Sequence, residues 1–143
     1  MAETTSSEAA LLAWLRMARL VARTHRDAAA KLKAFDLSNA QFDVIAQVGS
    51  HDGPSQQQLA EKLLVTQGNV CQLLDGLQAR GLVERRKSGR SNRLYLTEEG
   101  RTLYRQAVPA QETWQAGRLA GLEPEEQRQL LRLLRKLEQS QAS

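Results

Sequence analysis

Apolar residues fall at helical spacing along most of the chain and at strand spacing in one short stretch. From Glu8 to about Phe35, Leu11, Leu15, Ala18, Val21 or Ala22, His25, Ala29 and Leu32 recur every three to four positions, with no Gly or Pro in the run, and predict one long helix. Ser38 and Gln41 form a capping box opening a short helix with Phe42, Ile45 and Ala46 inward, ending at Gly49. Ser55 and Gln58 repeat the box before Leu59, Leu63 and Leu64. Leu64-Val65-Thr66 is then a tight turn, with Thr66 capping the next helix. Val70, Leu73, Leu74 and Leu77 give that helix its apolar stripe, and Gly81 stops it. Leu82–Arg85 and Arg93–Leu96 read as two short strands around a polar turn, Arg86 to Asn92. Thr97 caps another helix, with Glu98 and Glu99 in its first turn and Pro109 as an expected kink. Gly121 and Pro124 precede a last helix with Leu130, Leu131, Leu133, Leu134 and Leu137, ending near Glu138. Met1–Ser7 and Gln139–Ser143 read as frayed ends, and Ser50 to Pro54 as a turn.

The pattern is mainly α, with a small antiparallel β hairpin. A chain of 143 residues suits one domain. Leu12 and Trp14 add apolar surface on other faces of the first helix, more than a lone domain can bury, and this points to a second subunit. A net charge of +4 and a pI of about 9.6 favour a polyanionic partner only weakly. A single cysteine, Cys71, excludes an internal disulfide. No apolar run approaches the roughly 18 residues of a membrane span and no signal peptide is visible, so a cytoplasmic location is expected.

Two short helices joined by a tight turn, the second polar at its start, make a helix-turn-helix over residues 55–80. Opposite its apolar stripe the second helix carries Gly68, Gln72, Asp75 and Ala79, flanked by Asn69 and Cys71. Near its start this face is small and uncharged: Gln67, Gly68, Asn69, Gln72. A face kept only for solubility would carry Lys and Glu, whereas amides both donate and accept, as base edges require. Gly68 either admits a close backbone approach or is merely tolerated at a helix start. Between Arg80 and Arg93 stand Arg80, Arg85, Arg86, Lys87, Arg90 and Arg93, against one acid, Glu84. Such a hairpin is a wing able to reach phosphates or a minor groove. Arg93 could instead face back to the domain, since alternate strand residues point to opposite sides.

The runs Leu59-Ala60-Glu61-Lys62-Leu63, Leu73-Leu74-Asp75, Arg80-Gly81-Leu82-Val83-Glu84-Arg85 and Leu96-Thr97-Glu98-Glu99-Gly100 resemble the MarR family of bacterial transcriptional regulators over nearly the whole chain. The resemblance implies a single winged helix-turn-helix domain over residues 8–141. Residues 8–35 and 101–141 would be dimerisation helices, residues 36–100 the DNA-binding unit, and residues 82–97 the wing. It also implies a very short third strand near Ser50 to Pro54, and a homodimer on double-stranded DNA, acting as a repressor. The expected DNA-contacting residues are Ser55, Gln56, Thr66, Gln67, Gly68, Asn69 and Gln72, with Lys87, Arg90 and Arg93 from the wing. Aligned on Leu96-Thr97, Ser88 and Arg90 fall at the ends of the family's Asp-x-Arg wing signature, so Arg90 inherits the minor-groove role and Ser88 replaces the aspartate. Gly76 is a second departure, where close packing is the one physical reason at hand for a costly mid-helix glycine.

Some family members sense oxidants through a cysteine on the first helix, where this chain has none. Cys71 reads as a small semi-buried packing residue, with a redox-responsive role as the rival. Many relatives are released from DNA by small phenolic ligands, and Trp14, Arg16, Arg19 and Arg23 could line such a pocket for an aromatic anion, or else form a dimer interface with snorkelling arginines. His25 and His51 lack a second ligand at metal spacing, and no cofactor motif, Ser-His-Asp pattern or paired carboxylates stand out. An enzyme is therefore not expected. The remaining alternative is a winged-helix module that binds protein.

Overall fold

The computed structural model describes residues 5–63 and 67–142, with the backbone alone for Gln67. The predicted turn at Leu64-Val65-Thr66 and the Thr66 cap lie outside the described residues. The order of elements is α1 (Ser6–Leu32), a 3-10 turn (Lys33–Phe35), α2 (Asn39–Ser50), α3 (Gln56–Leu63), α4 (Gln67–Ala79), β1 (Val83–Ser88), β2 (Ser91–Leu96), α5 (Glu98–Gly117) and α6 (Pro124–Gln141). The chain divides into two compact units, one up to Ala110 and one from Gln111 onward.

Side-chain caps set most of the helix starts. Thr5 and Glu8 form a box that opens α1 at Ser6, so Ser6 and Ser7 are helical rather than frayed. Ser38 with Gln41, and Ser55 with Gln58, form the two expected boxes, each hydroxyl accepting from the backbone N–H three residues on. α6 runs to Gln141, three residues beyond the expected Glu138, because its last turn continues with residues of good helix propensity. α5 continues through Pro109.

The first unit closes a core of Leu32, Phe42, Val44, Ile45, Val48, Leu59, Val70, Leu74, Leu77, Val83, Leu94 and Leu96, all nearly or fully buried. α2, α3 and α4 each turn one face into it, and the hairpin lies against their side. The hairpin is longer and tighter than its sequence suggests. Val83 to Ser88 pairs antiparallel with Leu96 to Ser91, leaving only Gly89 and Arg90 as the loop. Gly89 takes the positive φ, 62°, that such a two-residue turn demands. The sheet is two-stranded, and in place of the expected third strand there is one isolated bridge: Ser55 pairs with Arg93, and Leu94 N–H donates to the Pro54 carbonyl at 2.9 Å.

The Leu-Thr-x-x-Gly stretch is a joint between the hairpin and α5. Thr97 N–H donates to the Leu82 carbonyl at 3.0 Å, and Thr97 Oγ1 accepts from Gly100 N–H at 3.0 Å. A Cβ on Gly100 would collide with that same Leu82 carbonyl, so only glycine fits there.

In the second unit Pro124 occupies the start of α6, and Gln127 Nε2 donates to the carbonyls of Leu119 and Leu122 at 3.0 and 3.1 Å. Leu131, Leu133 and Leu137 of α6 are exposed. No described helix is long and apolar enough to cross a membrane.

Candidate nucleic-acid interface

α4 presents the predicted face to solvent. Gly68, Asn69, Cys71, Gln72, Asp75 and Ala79 are all exposed, while Val70, Leu74 and Leu77 are fully buried. Thr66 and the Gln67 side chain lie outside the described residues. Gly76 belongs to the same outer side, and a Cβ added there meets nothing within 4 Å. Close packing therefore does not account for this glycine. It lines a shallow depression beside α2, with Ala40, Gln41, Asn69, Gln72 and Leu73.

Cys71 also departs from expectation. Its thiol is exposed rather than packed, and its sulfur accepts from Gln56 Nε2 at 3.2 Å. Gln56 in turn accepts from Asn92 Nδ2 at 3.3 Å, so this half-buried amide bridges α3, α4 and β2. The Ser55 hydroxyl is engaged in its helix cap. These two predicted contact residues have structural bonds to make before any DNA contact.

The basic cluster, a single block in sequence, separates in three dimensions. Arg80 donates to the Asp36 carbonyl at 2.7 Å, tying the end of α4 to the α1–α2 connection. Arg85 reaches α4, where it bonds Asp75 and Gln78. Arg86 pairs with Glu84 at 2.9 Å and lies 4.1 Å over the Tyr95 ring. Arg93 donates to the Gly53 carbonyl at 2.8 Å, on the side away from Leu94, as strand alternation allowed. Lys87 and Arg90 remain exposed toward the hairpin tip, Arg90 in the loop itself. Ser88, in place of the aspartate, closes the turn: its carbonyl accepts from Ser91 Oγ at 3.3 Å.

Trp14, Arg16, Arg19 and Arg23 are all exposed on α1. A cleft of about 690 Å³ lies elsewhere in the first unit, lined by His51, Asp52, Pro54, Lys62 and Arg93 among others. Its two acids, Asp52 and Glu61, balance its two cations, Lys62 and Arg93, so its charge selects no ligand class. His51 Nδ1 is 2.8 Å from the Gln47 carbonyl, a local helix-end bond. The described residues contain no group of three or more potential metal ligands.

A polar, exposed second helix and a basic antiparallel hairpin on a three-helix core define a winged helix-turn-helix protein. The chain belongs to the MarR family, whose members are DNA-binding transcriptional regulators and not enzymes. The MarR family model matches residues 35–93. An uncharacterized HTH-type transcriptional regulator of Bacillus cereus is 35% identical over 127 residues, covering 88% of this chain and 86% of that one. A MarR family protein of Mycobacterium tuberculosis, solved with salicylic acid, is 30% identical with a TM-score of 0.66, over 85% of this chain and 92% of that one. MepR of Staphylococcus aureus, solved with DNA, has a TM-score of 0.82 at 24% identity, over 90% of this chain and 98% of that one.

Proposed function

We propose that the protein is a homodimeric transcriptional repressor that binds a pseudo-palindromic DNA site and is released from it by a small aromatic anion. α4 lies in the major groove, where Asn69 and Gln72 read base edges. Arg90 enters the flanking minor groove and Lys87 meets a phosphate. Two-fold symmetry sets the half-sites about 34–36 Å apart. Occlusion of a promoter gives repression in the cytoplasm. The observation carrying this reading is the pairing of an exposed, uncharged amide face on α4 with exposed cations, Lys87 and Arg90, at the end of the adjoining hairpin. Two neighbours in fold support it, one solved on DNA and one with salicylic acid. On α1, the exposed Trp14 beside Arg16, Arg19 and Arg23 offers the aromatic and cationic chemistry that such an anion needs once a second subunit covers it. Release requires the anion to bind two dimer states unequally; tight binding alone shifts nothing.

Salt titration on duplex DNA tests the reading. Affinity should fall linearly on log–log axes, with a slope of about 0.9 per phosphate contact. Arg90→Ala should weaken binding by about 1–3 kcal/mol. A flat salt response would favour the protein-binding module instead.

Exposure of the Cys71 thiol on the outer face of α4 favours a second input, oxidation. Mild peroxide would then weaken operator binding, and Cys71→Ser would abolish the effect. An equal response of wild type and variant removes this input.

A further inference from the structure

Strand pleating puts Val83 and Arg85 on one face of β1, opposite Leu96 and Leu94 of β2. Val83, Leu94 and Leu96 sink into the core, and Arg85, one step further out, turns its guanidinium onto α4. There Nη1 donates to Asp75 Oδ1 at 2.8 Å and to Gln78 Oε1 at 2.9 Å, while Nη2 donates to the Cys71 carbonyl at 3.2 Å. Residues 71, 75 and 78 stand at i, i+4 and i+7, a single stripe spanning two turns of α4. The Arg85 side chain is only 20% exposed, against 69% for Asp75. Arg85 is thus shielded by the elements it joins.

An isolated two-stranded hairpin is at best marginally stable in water and would swing about its base. Along β2 this hairpin is held to the segment before α3 by the backbone bond from Leu94 to Pro54 and by Arg93 donating to the Gly53 carbonyl. Further out, the ties to α4 are Arg85 and the Asn92–Gln56–Cys71 relay. A planar guanidinium can hold several acceptors in one rigid arrangement, whereas a lysine ammonium at the end of a flexible stem cannot.

We infer that Arg85 is a positioning residue that locks the wing to the recognition helix, so that both reach DNA as one body with a fixed offset. This rests on the DNA-binding reading proposed above. Arg85 itself makes no DNA contact; it acts through Arg90.

The test is a double-mutant cycle on affinity for operator DNA selected with the wild-type dimer. Arg90→Ala in the wild-type background should weaken binding about tenfold. Arg85→Met alone should cost at least as much, and adding Arg90→Ala to it should cost less than twofold more, because an unlocked wing no longer delivers Arg90. Arg85→Lys, which keeps the charge, should also mute Arg90→Ala. Thermal melting checks that Arg85→Met folds. If it does not, Asp75→Ala carries the same cycle from an exposed helix position. Wing amides 87–92 should exchange hydrogen faster in Arg85→Lys while the amides of α4 stay unchanged. An undiminished tenfold effect of Arg90→Ala in the Arg85 and Asp75 variants would overturn the inference and leave the DNA-binding reading intact. No effect of Arg90→Ala in either background would remove the wing contact, and this inference with it.

Discussion

α1 and the α2–β2 segment are built to opposite rules. Of the 27 residues of α1 only Ala28 and Leu32 are buried, while Trp14 is 62% exposed and Leu11 60%. The 12 residues of α2 bury Phe42, Val44, Ile45 and Val48. The winged segment buries its apolar faces in one core, completed by Leu32 from the end of α1 and by Ala107 and Val108 of α5, and its described residues expose none of the large apolar side chains that α1 does. The first helix keeps large apolar side chains in water, which a monomer has little reason to do. The difference teaches that the winged segment has its apolar faces covered within the chain, whereas most of α1 keeps large apolar side chains uncovered, the surface that the proposed homodimer would bury.

The strongest way to break this contrast is to charge the α1 face. The double variant Leu11→Asp with Leu15→Asp should sediment as a monomer with its helical signal retained. Its affinity for a palindromic duplex should fall by about 100-fold or more, because linked half-site binding is lost. A dimer that survives both charges would show that α1 is not the contact. Next in size, Leu74→Ala should destabilise the winged unit by about 2–5 kcal/mol in chemical denaturation, as expected for a fully buried leucine. The same truncation at exposed Leu11 should cost the monomeric unit far less, which sharpens the comparison. Smallest, Gly76→Ala should stabilise by about 0.5–1 kcal/mol, since the new methyl meets nothing and glycine is a poor helix former. A rise in melting temperature of about 2–4 °C would record it. A fall would show that Gly76 serves an approach that the free chain does not reveal.

Elements with local causes were legible in the sequence. The Ser38 and Ser55 boxes, the α4 stripe and the Thr97 cap each depend on residues within about two helical turns of one another, and each is present in the fold. The hairpin ends were not legible. Arg86, Lys87 and Ser88 look like loop residues, and only pairing with Arg93, Asn92 and Ser91 makes them strand. Nor was the division of labour among the arginines. A run of cations reads as one patch, yet Arg80, Arg85 and Arg93 are each claimed by a carbonyl or acid distant in sequence. One signal was available: Arg85 sits two residues after Val83, on the inward register of β1, where a charge needs partners. Cys71 reads as packing because cysteine is so often buried, yet it is exposed, in keeping with its place on the flank of the outer face of α4.

The two-residue loop turns the hairpin into a gauge. With a ladder of six pairs at about 3.4 Å per residue, the strands carry Ser88, at the foot of the loop that holds Arg90, roughly 17 Å beyond Val83. The advance per pair nearly equals the rise of one base step along a DNA strand, about 3.4 Å. Removing a single cross-strand pair such as Lys87 with Asn92 would therefore do more than shorten the arm by a step. It would also invert the pleat, so that the tip faces the other way. Only even changes in length keep the handedness of the reach, and the spacing between what α4 touches and what the tip touches can be retuned only in such paired increments.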